Sequence, residues 1–187
     1  MPTVITHALA GATLAGLCAP RPLRAPGMAG WLLLCGAAAM LPDLDVITFK
    51  LGIPYASPWG HRGVSHSLTL ALIAGGVLAV LGKRWWSRLG LGPLRAFVVL
   101  SLVVASHALL DMWTDATHGP ALAMPWHQGR FLFDWRPIEG SPLRLHRWLG
   151  AKGLRVLSSE LLYVWLPCLL LWLARAAWLR RHGEGGR

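Results

Sequence analysis

The sequence predicts an all-α fold, a polytopic membrane helical bundle of about five membrane segments, the first two short, with a long polar loop over 113–157. Three observations predict it. Hydrophobic residues make up 55% of the 187-residue chain and charged residues only 14%, against about 25% charged in an ordinary soluble domain. The apolar residues collect in runs, at 4–19, 28–41, 64–82, 94–112 and 158–179. Gly and Ala recur inside them (Gly11, Ala12, Gly16, Gly36, Ala37, Ala38, Gly75, Gly76), and small residues let helices approach closely in lipid. The chain is long enough for one domain, read as a single integral-membrane unit over 1–187.

Taken in order, the third, fourth and fifth runs approach the ~20 residues that cross a bilayer core. The first two are shorter, and one of them can be re-entrant or packed within the protein. The N-terminus, Met1-Pro-Thr-Val-Ile-Thr-His7, lacks a basic leader, so the first apolar run is expected to be kept. The stretch Pro20-Arg-Pro-Leu-Arg-Ala-Pro-Gly27 is a breaker-rich turn, and Lys83-Arg-Trp-Trp-Ser-Arg-Leu-Gly-Leu-Gly-Pro93 is a basic, Trp-bearing connection. Pro167 in the last run predicts a kink. Cys18, Cys35 and Cys168 lie in apolar runs without C-x-x-C spacing and read as small buried hydrophobes.

Threading the runs alternately across a membrane sorts the ionisable residues. His7, Asp43, Asp45, His61, His66, His107, Asp111 and Glu160 all fall at one level. Seven of the eight acidic residues share that side. The other side collects ten of the 18 basic residues: Arg21, Arg24, Lys83, Arg84, Arg88, Arg95, Arg175, Arg180, Arg181 and Arg187. By the positive-inside rule the basic side and the C-terminus are cytoplasmic, and the His/Asp level is periplasmic. The excess of basic over acidic residues does not indicate nucleic acid, because a soluble basic domain would not carry apolar runs of this length. Trp59, Trp113, Trp126, Trp135 and Trp148 on one side, with Trp85, Trp86, Trp172 and Trp178 on the other, read as interfacial belts.

Each polar motif alone has a plain structural reading. His107 and Asp111 stand four apart on one helix face, able to meet a common ion or merely each other. Asp43 and Asp45 follow a helix, either as a stop signal or as two oxygens for a hard cation. Together, four histidines and three aspartates at one membrane level are costly without a partner. Imidazole with carboxylate points to a divalent cation, zinc first, with manganese or iron as alternatives. Seven candidates, His7, Asp43, Asp45, His61, His66, His107 and Asp111, exceed one tetrahedral site. They imply one or two ions, with some residues supporting the ligands. Two ions would suit phosphoester hydrolysis. Glu160 enters as a ligand, a general base or a helix-start carboxylate. Arg62, Arg130 and Arg136 are candidates to bind an anionic head group. His118, His127 and His146 read as loop residues.

The blocks Thr6-His7, Leu41-Pro-Asp-Leu-Asp-Val46, Gly60-His-Arg-Gly-Val-Ser-His-Ser67 and Ser106-His-Ala-Leu-Leu-Asp111 resemble a family of bacterial membrane-bound proteins identified as metal-dependent hydrolases, some of them LexA-regulated inner-membrane proteins. The resemblance continues through Arg130-Phe-Leu-Phe-Asp-Trp-Arg-Pro-Ile138, Ser141-Pro142 and Ser159-Glu-Leu161. It departs after Asp111, where relatives read Thr-Asn-Gly-Gly and this chain has Thr114-Asp-Ala-Thr-His-Gly119. It implies a multi-pass inner-membrane protein with hydrolase activity and the same seven residues as its functional set. The expected reaction is attack by metal-activated water on a phosphoester, or another ester, of a lipid or lipid-linked substrate at the membrane surface. Asp45, Arg62 and Glu160 are the expected catalytic residues. A metal-binding or metal-transporting protein without hydrolytic activity is the alternative. It would need ligands lined up as a path, whereas these gather at one end.

Overall fold

The computed structural model describes residues 1–20, 26–142 and 148–183. Arg21, Arg24, His146 and Arg187, named above, lie outside the described residues. Among the described residues the regular structure is helical, with an isolated bridge between Thr114 and Ile138. In chain order come α1 (Val4–Leu17), α2 (Met28–Ala38), a 3-10 turn (Leu41–Val46), α3 (Ile47–Lys50) and a second 3-10 turn (Val64–His66). Then follow α4 (Leu68–Leu81), α5 (Lys83–Arg88), α6 (Pro93–Met112), α7 (Ala151–Glu160), a π turn (Leu161–Trp165) and α8 (Leu166–Gly183).

The all-α expectation holds, and the lengths are redistributed. Among the described residues two helices are long and apolar enough to cross a membrane: α6, with 20 residues, and the 32-residue run from Ala151 to His182 that joins α7, the π turn and α8. The pair Met28–Ala38 and Leu41–Lys50, bent by 40°, makes a third if taken as one broken span. Helices α1 and α4 have 14 residues each, about 21 Å at 1.5 Å per residue, short of the ~30 Å hydrocarbon core. α4 is shorter than its apolar run because Ser67 caps it, its hydroxyl accepting the Leu70 N–H at 3.1 Å. The residues before that cap form the 3-10 turn that carries His66. A π turn lies just ahead of Pro167, where the helix ladder adjusts to the N–H that proline cannot donate.

Helix α6 is the centre of the bundle, packed on α4, α1 and α2, while α1 also packs on α2 and α8. Small residues make these approaches. A side-chain carbon added at Gly11 would stand 2.5 Å from Cβ of Ala39, and one at Gly75 would enter the backbone of Ser101 on α6. Trp86, expected at the interface, is 2% exposed instead. It packs edge-on against Trp31 at 5.2 Å and donates its indole N–H to the Leu78 carbonyl at 3.1 Å. Trp172 likewise donates to Thr13 on α1 at 2.8 Å. Trp59, Trp126, Trp135 and Trp178 stay exposed. The three cysteines are free thiols, with Cys35 and Cys168 buried.

The described part of the polar loop folds back on the end of α6 where His107 and Asp111 lie. Phe133 donates its N–H to the Met112 carbonyl at 3.1 Å, and Ile138, fully buried, donates to Trp113 at 3.3 Å. Ala121 donates to the Arg62 carbonyl at 2.9 Å. At the opposite end, Arg95 donates to Cys18, and Arg175 to Leu17 and Ala19, at 2.8 to 3.0 Å. These bonds satisfy carbonyls that the last turn of α1 leaves open.

Candidate metal centre

Four separate pieces of chain bring the polar residues together. His7 lies in the first turn of α1, which Thr3 caps through its hydroxyl. Asp43 and Asp45 ride on the 3-10 turn that Pro42 opens after α2. His61 and Arg62 lie in a tight loop held by Gly60 and Gly63, where an added Cβ would collide with the carbonyls of Pro54 and Pro58. Arg62 takes φ +63°, a left-handed conformation costly for a residue with a long side chain. That conformation aims its N–H at Asp45 Oδ2, 3.1 Å away, and its guanidinium at Asp111 Oδ1, 2.9 Å away. His66 ends the second 3-10 turn, and His107 and Asp111 occupy successive turns of α6.

The seven residues form one cluster. The rings of His7 and His107 stack at 3.7 Å with 10° between their planes. Asp43 Oδ1 lies 3.3 Å from His107 Nε2 and 3.6 Å from His66 Nε2. Asp111 Oδ2 lies 3.4 Å from His66 Nε2 and 3.9 Å from His107 Nε2, while His7 Nε2 is 3.8 Å from Asp111 Oδ1. Three overlapping groups have ligand atoms within 4.8 Å of one another: His7, Asp43 and His107; Asp43, His61 and His66; and His66, His107 and Asp111.

The hydrogen-bonding pattern of the cluster is compatible with a metal site. His107 turns Nδ1 to the Ala39 carbonyl at 2.8 Å, so that nitrogen carries the hydrogen and Nε2 offers a lone pair. His66 turns Nδ1 to Asp45 Oδ2 at 3.2 Å and to the Ser65 hydroxyl at 2.9 Å, which also leaves Nε2 bare. The inward atoms are buried and have no hydrogen-bond partner among the described residues: both nitrogens of His7, Nε2 of His66 and His107, Asp43 Oδ1 and Asp111 Oδ2. Such burial costs roughly 1–3 kcal/mol for each polar group left unpaired. A cation between them would answer one atom from each of these residues, leaving the second nitrogen of His7 outside it. Imidazoles anchored by a carbonyl or carboxylate on the far nitrogen are the usual arrangement of metal-binding histidines. The residues present therefore fit a divalent cation with nitrogen and oxygen ligands.

Other residues from the sequence occupy supporting places. Asp45 has both oxygens engaged: Oδ1 accepts from His61 Nδ1 at 2.6 Å, and Oδ2 takes the Arg62 N–H, the Ser65 hydroxyl and His66 Nδ1. It orients two imidazoles from behind. Arg62 is 1% exposed and reaches the His118 carbonyl at 2.8 Å besides Asp111, so its fork faces inward and not toward a head group. Arg130 directs both terminal nitrogens at the carbonyls of Tyr55, Ser57, His61, Arg62 and Gly119, at 2.9 to 3.4 Å. Its guanidinium clamps the loop and lies 5.5 Å from the centre of the Tyr55 ring. Burial pushes the Tyr55 hydroxyl up from its usual value and the Arg130 guanidinium down. Arg136 is exposed and makes one bond, to the Ala116 carbonyl at 3.1 Å.

Glu160 is fully buried and belongs to none of the three overlapping groups. Its oxygens accept from the Thr3 N–H at 2.5 Å, the Thr3 hydroxyl at 2.6 Å and the Thr6 hydroxyl at 2.7 Å. Of the three roles open to it, the structure supports the dipole partner, for α1 and not for its own helix. The carbonyl of Ala39 and the hydroxyls of Thr3, Thr6 and Ser65 are the supporting groups that sequence reasoning missed. Ser65 stands inside the quoted Gly60–Ser67 block, and Thr3 is marked by its N-cap position; a backbone carbonyl leaves no trace in a sequence.

The family model for the YdjM inner membrane protein matches residues 1–182. The chain belongs to the YdjM inner membrane protein family. A relative, the inner membrane protein YbcI of Escherichia coli strain K12, is 39% identical over 182 residues, covering 97% of this chain and 100% of the relative. No solved structure matches. With two helices of spanning length and a third bent pair, the chain is a multi-pass inner membrane protein. Its buried His/Asp cluster is compatible with a metal site.

Proposed function

We propose that this protein is a membrane-embedded metal-dependent hydrolase acting on a phosphoester, or another ester, of a lipid or lipid-linked substrate. One observation carries the reading: buried, unpartnered ligand atoms of His7, Asp43, His66, His107 and Asp111 converge on a common space. These five would hold the cation, and His61, grouped with Asp43 and His66, would complete a second position. A divalent cation held there supplies a concentrated positive charge that polarises an ester oxygen and acidifies water. Zinc is the first expectation, with manganese and iron next.

The chain's own groups do the rest. Asp45 holds His61 and His66 in the tautomer that leaves their inner nitrogens free, and Arg62 fixes Asp111 through its other oxygen. Asp43 is the more open of the converging carboxylates, with 13% of its side chain exposed against none for Asp111. Water therefore reaches the centre past the Leu41–Val46 turn. Arg136 is left to meet an anionic group.

The test is elemental analysis of protein purified without chelator, followed by assays with zinc, manganese or iron restored against phospholipids and lipid-linked phosphates. Bound metal with turnover on one of these is the expected result. Bound metal with uptake into proteoliposomes and no turnover would instead assign transport. A protein free of metal under every condition would overturn the reading.

A further inference from the structure

Helices α1, α6 and α8 leave between them an open cleft of about 730 Å³, within the range of small-molecule sites. Ala10, Leu14 and Leu17 line it from α1, Leu109 and Leu110 from α6, and Leu171 from α8. Two of its hydroxyl-bearing residues are turned to other uses, Ser106 donating to the Val103 carbonyl at 2.7 Å and Thr13 accepting from Trp172 at 2.8 Å, and the third, Tyr163, stands at its rim. What the cleft offers a ligand is hydrocarbon.

Two independent features say what fills it. The α1 positions 10, 14 and 17 share one helix stripe, and the next position of that stripe toward the N-terminus is His7. The cleft thus runs along the bundle directly beneath the His/Asp cluster, with Leu110 next to Asp111 at its upper wall. At that same end it is lined by Trp113, Trp135 and Tyr163, residue types that settle at the head-group level of a bilayer. Exposed Asp134 and Arg136 flank Trp135 there and offer ionic partners to a head group.

We infer that the cleft seats one acyl chain of a membrane phospholipid, with the phosphate held at the Trp135–Arg136 end, beside the metal centre. As the substrate's position this rests on the proposed hydrolase reading; as a lipid site it does not. An acyl chain is the occupant that a bilayer-facing apolar groove with an aromatic and charged rim selects, because its tail matches the hydrocarbon lining and its head group the rim.

The first arm of the test needs no catalysis. Metal-free protein in nanodiscs doped with a phospholipid bearing a diazirine on its acyl chain is irradiated and the adducts are mapped. Adducts on Leu14, Leu109 and Leu171 are expected, and Ala10→Phe, which narrows the cleft, lowers them about tenfold relative to adducts on Leu72 of the lipid-facing side of α4. Leu109→Trp repeats the block from the other wall should Ala10→Phe fold poorly. Equal labelling of the cleft and Leu72 in all variants means ordinary surrounding lipid and overturns the inference. A dimer found for the unaltered protein and dissolved by Ala10→Phe, with adducts unchanged, overturns it in favour of a second copy. The second arm compares long-chain phospholipid with a short, water-soluble phosphoester. Ala10→Phe raises KM for the first about tenfold and leaves the second unchanged. Absence of hydrolysis on both defeats the hydrolase reading alone, since the cross-linking arm still decides the cleft.

Discussion

His107 carries two assignments in one ring. Its Nδ1 is fixed by a backbone carbonyl, 2.8 Å away, and its Nε2 is directed at Asp43 and Asp111. Asp45 does the same service for its neighbours that Ala39 does for His107, holding the far nitrogens of His61 and His66. Aspartates two residues apart on one turn thereby acquire different roles, which their spacing alone does not separate. The distinction is measurable. Asp43→Asn, His66→Ala and Asp111→Asn are expected to lose bound metal while remaining inserted in the membrane. Asp45→Asn is expected to keep the metal stoichiometry and weaken affinity about 10- to 100-fold, the usual effect of losing a group that orients a ligand. Elemental analysis with a competitive metal titration reads both, and full occupancy in the first three variants would refute the ligand assignment.

Among the helices, Glu160 joins the long C-terminal span to the start of α1. Three donors meet its carboxylate inside the bundle, and Thr6 also takes the indole N–H of Trp165 at 2.6 Å. Glu160→Gln is expected to lower the thermal midpoint in detergent, with about 1.5–3 kcal/mol lost for each charge-assisted hydrogen bond broken. Metal content per folded molecule should stay unchanged; loss of metal at undiminished stability would place Glu160 at the centre itself. The contact between α4 and α6 gives a second comparison. Gly75→Leu drives a side chain into the Ser101 backbone, whereas Gly76→Leu meets only the Phe97 ring, at 3.7 Å from the first added carbon. The first should lower the midpoint and release metal, because His66 reaches His107 and Asp111 across that contact; the second should do neither. The glycines were legible in the sequence as close approaches, but which of two neighbours bears the contact depends on helix rotation. Helix α5 and the start of α7 were not legible, because Lys83–Arg88 and 151–157 are short stretches broken up by basic residues, whose helicity comes from packing: Trp86 and Val156 are buried.

Across the whole molecule, charge is divided between the ends of the bundle. His7, Asp43, Asp45, His61, His66, His107 and Asp111 meet at one end, although among the described residues two helices and one bent pair, and not five runs, have spanning length; ionisable residues inside apolar runs are reconciled with lipid only where they share partners. The fates of Arg62 and Arg130 escaped the sequence, since an arginine bound to backbone carbonyls is indistinguishable there from one awaiting a phosphate. At the other end Arg95 and Arg175 close the last turn of α1, and Lys83, Arg84, Arg88, Arg180 and Arg181 lie beyond. That asymmetry predicts a basic end in the cytoplasm and the His/Asp cluster facing outward. Cysteine labelling tests it once Cys18, Cys35 and Cys168 are replaced by alanine. Ala56→Cys stands in the exposed loop above the cluster, and Ser87→Cys on the exposed side of α5. A membrane-impermeant maleimide applied to intact spheroplasts should label Ala56→Cys at once and Ser87→Cys only after permeabilisation. The reverse order would put the centre on the cytoplasmic face, where its ester substrate would have to come from the inner leaflet.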